Sequence, residues 1–184
     1  MITGTDAPRL LPALRRGAHR NAWHVMPARE PEGKELIMSE RNKALSQRGF
    51  EEVMNQGRLE VIDELVATNY TFYDPSLPGG KVNGLEAYKQ VIQMYRTAFP
   101  DLHFTIHEQI ADGDKVVTRW TATGTQKGAL MGIAPTGKRS TVTGISIEHY
   151  KDGKAAEVWN NWDTLGMLQQ LGVVPTMAPA GTPA

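Results

Sequence analysis

The chain has 184 residues, 40% of them hydrophobic, with 20 Lys+Arg against 20 Asp+Glu and no cysteine. That length and apolar content suit one domain with its own core, and the balanced charge leaves no net field to draw nucleic acid or an anionic membrane. Without cysteine there is neither a disulfide framework nor a thiolate metal site, which fits a reducing, cytoplasmic setting, and no apolar run is long enough to span a bilayer.

Residues 1–37 differ in texture from the rest. Pro8, Pro12, Pro27 and Pro31 interrupt any helix, and Arg9, Arg15, Arg16, Arg20 and Arg29 are scattered between them. The run from Leu10 to Leu14 is short, broken by proline and followed by Arg15-Arg16, the wrong order for a secretory signal. The expectation is a disordered or loosely attached extension, with Met38 as an alternative start. A domain over 38–175 follows, and the proline-rich stretch 176–184 is expected to fray.

Within the domain, Ser39 can cap a helix reaching about Met54, with Leu45, Phe50, Val53 and Met54 on one side and Asn55-Gln-Gly57 as its stop. A second helix is expected from about Leu59 to Ala67. Tyr70 to Tyr73 reads as a brief strand closed by Asp74-Pro75, and Pro78-Gly-Gly80 as a loop. Leu85, Tyr88, Val91, Ile92, Tyr95 and Phe99 recur at helical spacing, with Asn83 as a cap and Pro100 forbidding continuation. After Pro100 the period changes to two. Strands are expected over 102–107, Lys115 to Gln126, Ser140 to Tyr150 and Ala155 to Trp162, joined by Asp112-Gly113-Asp114, a glycine-rich connection and Asp152-Gly153. A last helix, Thr164 to Leu171, stops at Gly172. Helices first and meandering strands afterwards give an α+β fold, a curved antiparallel sheet closed by three N-terminal helices and a short C-terminal one.

Chemistry concentrates in Glu157-Val-Trp-Asn-Asn-Trp-Asp163. Alternation sends Glu157, Trp159, Asn161 and Asp163 to one face and Val158, Asn160 and Trp162 to the other. A carboxylate beside aromatic walls is poorly solvated and accepts protons better than a free one, so Asp163 is a candidate base; it is equally placed to cap the last helix. His149 lies fourteen positions earlier, on the face of its strand that carries Thr143, Ile145 and Ile147. It can donate to an oxyanion or bond to backbone. Arg119 can hold a substrate carbonyl or meet surface acids. Trp120, Trp159, Tyr73 and Phe104 can wall a pocket for a flat substrate or serve as core, and Asn161 shares the face of Asp163. His103 and His107 share a strand face without a third ligand, so no metal site is expected. Gly124, Gly128, Gly132 and Gly137 form no phosphate-binding motif.

The run Arg119-Trp-Thr-Ala-Thr-Gly-Thr125, the loop Met131 to Lys138, Thr143-Gly-Ile145, Glu157-x-Trp159-x-x-x-Asp163 and Leu165 to Gly172 together resemble the SnoaL-like polyketide cyclases, over about Ser39 to Pro175. The resemblance implies a nuclear-transport-factor-2-like (NTF2-like) cone and cofactor-free aldol ring closure of a small hydrophobic or aromatic carbonyl substrate. The family's acid/base aspartate falls on Asp163 and its assisting histidine on His149. Two rivals stand beside this: an epoxide hydrolase or isomerase on the same fold, and a binding protein without turnover. If Asp163 only caps the helix and its carboxylate is walled off from the cavity, the enzyme readings that rest on it fall together. The outer face of the sheet is expected to pair copies into a homodimer or homotetramer.

Overall fold

A computed structural model describes residues 33–176. The extension read over residues 1–37 lies outside the described residues up to 32, as does the tail from 177. Residues 33–37 belong to helix α1, which spans Gly33–Arg48. Ser39 is therefore inside that helix and buried, not its cap. The face that α1 turns inward carries Ser39, Asn42 and Ser46, polar residues at helical spacing. Apolar periodicity is blind to such a face. Asn42 Nδ2 donates to the Gly113 carbonyl at 3.1 Å and ties the helix to the sheet.

After Arg48 the backbone widens into a π-helix, Gly49–Asn55, whose Phe50, Val53 and Met54 point into the fold. A 3₁₀ turn at Leu59–Val61 leads into a single turn of helix α2, Ile62–Leu65. The second helix is thus shorter than its sequence suggests, and strand β1, Val66–Tyr73, starts in what reads as its last turn. Val66 is β-branched and pairs with Ala155, a sheet contact that local propensity cannot register. A short strand β2, Lys81–Asn83, replaces part of the expected loop. Asn83 accepts from Thr71 Oγ1 at 3.2 Å across β1 and β2, and Gly84 precedes the next helix in its place. Helix α3, Leu85–Ala98, ends two residues before Pro100, as the spacing predicts.

Four long strands follow: β3 His103–Asp112, β4 Lys115–Thr125, β5 Arg139–Lys151 and β6 Lys154–Trp162, then helix α4 Thr164–Leu171. Helix α4 ends at Gly172 with φ 79°, a left-handed cap that glycine adopts without strain. The sheet order is β2-β1-β6-β5-β4-β3. Pairing is antiparallel except between β1 and β6, which run parallel, an element the expected all-antiparallel meander lacks. Register shifts at Ile106/Glu108 and His149/Tyr150 bend the strands. The bent sheet wraps the helices on one side, giving the α+β cone.

Two clusters of buried side chains fill the cone. One gathers Val53, Ile62, Tyr70, Phe72, Ile92 and Tyr150; the other gathers Phe99, Trp120, Leu130, Val142, Met167 and Leu171. Among the described residues no helix is long and apolar enough to cross a membrane.

Candidate active site

Strand β5 decides what faces inward. Its even-numbered residues Ser140, Val142, Ser146, Glu148 and Tyr150 are buried, while Thr141, Thr143, Ile145 and Ile147 are exposed. Since Ser146 pairs with Asn160 and Gly144 with Trp162, the inward face of β6 carries Val158, Asn160 and Trp162. These residues line a cavity of about 150 Å³ together with Phe50, Tyr88, Tyr95, Phe104, Trp120 and Asp74.

Asp163, His149, Arg119, Trp159, Tyr73 and Asn161 do not line it. Asp163 is exposed and caps α4, its Oδ1 accepting from Gly166 N at 2.7 Å. Its own N–H donates to the Thr143 carbonyl at 3.0 Å, whereas His149 faces Glu157 across the hairpin. Glu157 and Asp163 are six residues apart on one extended run, roughly 20 Å at strand rise, so His149 and Asp163 do not converge. His149 instead packs its ring 4.6 Å from Trp159 and holds Nδ1 3.8 Å from Glu157 Oε2. Tyr73 and Trp159 stack at 4.9 Å on the same outer face. Asn161 pairs with exposed Ile145, and Arg119 Nε donates to Glu108 Oε2 at 3.4 Å in solvent. An epoxide hydrolase built on Arg119 thereby loses its arginine. Trp120 and Phe104 do line the cavity, ring centroids 5.0 Å apart and edge to face.

The physical reason for this inversion is that a period of two separates two faces without saying which is inside. On β5 the apolar Ile145 and Ile147 face out, and the polar Ser146 and Glu148 face in. The fourteen-residue spacing holds for a second pair, Ser146 and Asn160, and that pair converges: Ser146 Oγ donates to Asn160 Oδ1 at 2.9 Å. This spacing was the available signal.

Two polar groups stand in the cavity wall. In the first, Trp120 Nε1 donates to Ser146 Oγ at 2.9 Å, Ser146 to Asn160, and Asn160 Nδ2 to Asp74 Oδ2 at 3.0 Å. Trp162 Nε1 also donates to Asp74 Oδ2, at 3.1 Å, while the backbone N–H and hydroxyl of Ser76 donate to Oδ1 at 2.9 and 2.6 Å. Since the single hydroxyl proton of Ser76 goes to Asp74, Tyr95 must be the donor in its 3.2 Å contact with Ser76 Oγ. Burial pushes the Tyr95 phenol up to about 12, against the Ser76 contact and with the help of the Asp74 charge. Asp74 accepts four hydrogen bonds, about as many as a carboxylate can. It anchors the wall with no lone pair to spare.

In the second group, Glu148 Oε1 accepts from Ser46 Oγ at 3.0 Å and Oε2 from Tyr150 OH at 2.5 Å. Gln109 Nε2 donates to Ser46 Oγ and to Thr118 Oγ1, each at 3.0 Å, which fixes the serine. Among the described residues these two hydroxyls are the donors that meet the carboxyl, against the four that meet Asp74. Burial raises the Glu148 pKa, with the Tyr150 and Ser46 hydrogen bonds working the other way. Burial likewise raises Tyr70, Tyr88 and Tyr150, reinforced in each by the nearby Glu148 charge, so these phenols hold their protons. His107 Nε2 lies 2.7 Å from Thr121 Oγ1, and among the described residues no three His, Cys, Asp or Glu side chains gather around a metal-sized space.

A model of the SnoaL-like polyketide cyclase family matches residues 44–171. A solved structure from Jannaschia sp. CCS1, a proposed SnoaL-like polyketide cyclase, superposes with TM-score 0.70 at 21% identity, covering 80% of this chain and 99% of its own. TsrD from Streptomyces laurentii superposes with TM-score 0.65 at 27% identity, over 79% of this chain and 100% of its own. A proposed polyketide cyclase from Acidithiobacillus ferrooxidans gives TM-score 0.67 at 32% identity, over 74% and 97%. No curated protein matches the sequence. By the extent of the family match and by its α+β cone of the NTF2-like type, the chain belongs to the SnoaL-like polyketide cyclase family.

Proposed function

We propose that the protein closes a ring in a small dicarbonyl compound by aldol-type acid/base chemistry inside the cone, with Glu148 and not Asp163 as the proton carrier. The observation that carries this reading is a buried carboxyl, held by two hydroxyl donors, in the wall of a mainly apolar cavity. Burial makes the ionised form a stronger proton acceptor, and the site holds it by two hydroxyl donors from fixed side chains.

In the reaction, the Glu148 carboxylate takes the proton alpha to one carbonyl, and the C–H electron pair becomes the enolate. The enolate carbon bonds to the second carbonyl carbon, whose π pair moves onto its oxygen as an alkoxide. Glu148 returns the proton to that alkoxide, so the product is an isomer of the substrate and the carboxylate is restored. The protonated Tyr88 phenol on the same wall, which is paired with Tyr70, supplies a donor for the developing oxyanion. A carboxyl group and hydrogen-bond donors suffice for every step.

The test uses a linear diketone whose carbonyls can close a six-membered ring, with deuterium uptake at the alpha carbon and ring product followed by mass. Glu148→Gln is expected to lose about 10²–10⁴-fold in rate, the span of a positioned acid/base. Asp163→Asn, which still caps α4, is expected to match the wild type. Full activity in Glu148→Gln would remove the mechanism. A second reading, ligand binding without turnover, is favoured by one observation: the converging pair at fourteen-residue spacing, Ser146 and Asn160, contains neither an acid nor a base.

A further inference from the structure

The volume and walls of the cavity bear on what enters it. A dry apolar cavity of about 150 Å³ has room for one benzene ring, and pockets for drug-sized ligands span about 300–1,000 Å³. The cavity in this protein, about 150 Å³, matches the single-ring volume and lies below the drug-sized range. Its walls include Phe50, Tyr88, Tyr95, Phe104, Trp120 and Trp162, and the carboxyls of Asp74 and Glu148. None of the described lysines, arginines or histidines lines it. An anion brought there would leave water for two carboxyl groups and no counter-charge, a cost that excludes it.

Trp120 forms part of the wall and is held in place there. Its indole is 3% exposed and pinned on three sides. Nε1 donates to Ser146 Oγ at 2.9 Å, the Phe104 ring meets it edge to face, and the ring lies so close over Gly144 that even a Cβ there would collide with it. Across the strands Trp120 pairs directly with Gly144. The indole therefore cannot swing aside for a larger guest without breaking its hydrogen bond and leaving the groove that glycine provides.

We propose that the cavity selects an uncharged, single-ring or equally small carbonyl compound, and that Trp120 is the residue that sets the ring limit and rejects fused polycyclic ketones. This rests on the cavity being the reaction site, as argued for Glu148. The size limit itself is independent of who moves the proton.

The experiment measures thermal shift and tryptophan quenching of the full chain with acetophenone, acetylnaphthalene, acetylanthracene and, as an anion, benzoate. Acetophenone is expected to bind saturably. Acetylnaphthalene is expected to bind at least about tenfold more weakly, the scale of a few misplaced carbons in an apolar pocket, and acetylanthracene and benzoate not at all. Trp120→Phe, which keeps an aromatic ring while removing the outer part of the indole, is expected to narrow or reverse the acetophenone preference over acetylnaphthalene. Should that variant not fold, the wild-type ranking still decides. Glu148→Gln is expected to retain the ring-size ranking while losing turnover, so failure of the mechanism and failure of the size limit read out separately. Acetylanthracene binding as tightly as acetophenone, benzoate binding, no binding by any of the four, or a folded Trp120→Phe with an unchanged ranking would each overturn the proposal.

Discussion

Glu148 and Asp74 are both carboxyls in one cavity wall, and what separates them is the number of donors each meets. Asp74 takes four hydrogen bonds and Glu148 two. The difference gives Glu148 a stability signature. Its pKa is raised above the ordinary 4.5, so the proton is bound more tightly in the folded chain than in the unfolded one. The stabilising contribution is complete below the unfolded pKa and is lost as pH rises through the folded one. Glu148→Gln removes the buried charge, so its melting temperature relative to wild type is expected to climb as pH rises above the ordinary carboxyl range, with the variant gaining on the wild type until the folded-state carboxyl is fully ionised. A difference that stays flat with pH would show that Glu148 is solvated in the native state.

At the scale of elements, the spacing of apolar residues located α3, α4 and the four long strands, most cleanly in β4 and β5, where burial alternates along the strand, while β3 runs on to Asp112, past the expected 102–107. It failed where polar residues do the packing. The inward faces of α1 and β5 carry Ser39, Asn42 and Ser46, and Ser146 and Glu148, and the true wall of the site lies on those faces. Asp163 drew the functional reading because acid, amide and indole share its face of β6, yet that face meets solvent. Phe104 and Trp120 were legible as pocket aromatics; Asp74, with its partners 86 and 88 residues away at Asn160 and Trp162, was not, since no local pattern records a contact of that range. The β4–β5 pairing provides an element-level test. Gly144→Ala places a methyl against the pinned Trp120 ring, and is expected to cost about 1–3 kcal/mol by urea unfolding. A neutral result would mean that the indole can shift, and the ring limit would weaken with it.

For the whole molecule, the outer face of the sheet is the feature that the monomer does not explain. Ile145 and Ile147 are 48% and 39% exposed, flanked by Thr143 and by the stacked Tyr73 and Trp159. Apolar residues gathered on one sheet face mark a contact surface, and we expect it to join two copies of this chain. If two copies pair through it, Ile147→Lys, which sets a charge in the middle of that face, is expected to give a monomer in light scattering at micromolar concentration where the unsubstituted chain gives a dimer. A wild-type monomer, or a variant that stays dimeric, would return these isoleucines to the ordinary surface.

The parallel pairing of β1 with β6 also has a history in time. Strands β3 to β6 join neighbour to neighbour through local hairpins, but β1 must wait for the strand that leaves the ribosome last. Closing a chain segment that long costs entropy before any contact repays it, so the hairpins are expected to form early and β1 to dock late. Pulse-labelling hydrogen exchange during refolding should then protect β4 and β5 amides before those of β1; simultaneous protection would contradict that order. Until β1 docks, Asp74 has no Asn160 or Trp162, and the cavity has no wall on that side. The site is thus among the last things the chain makes, and a guest seated in it would hold the final strand in place.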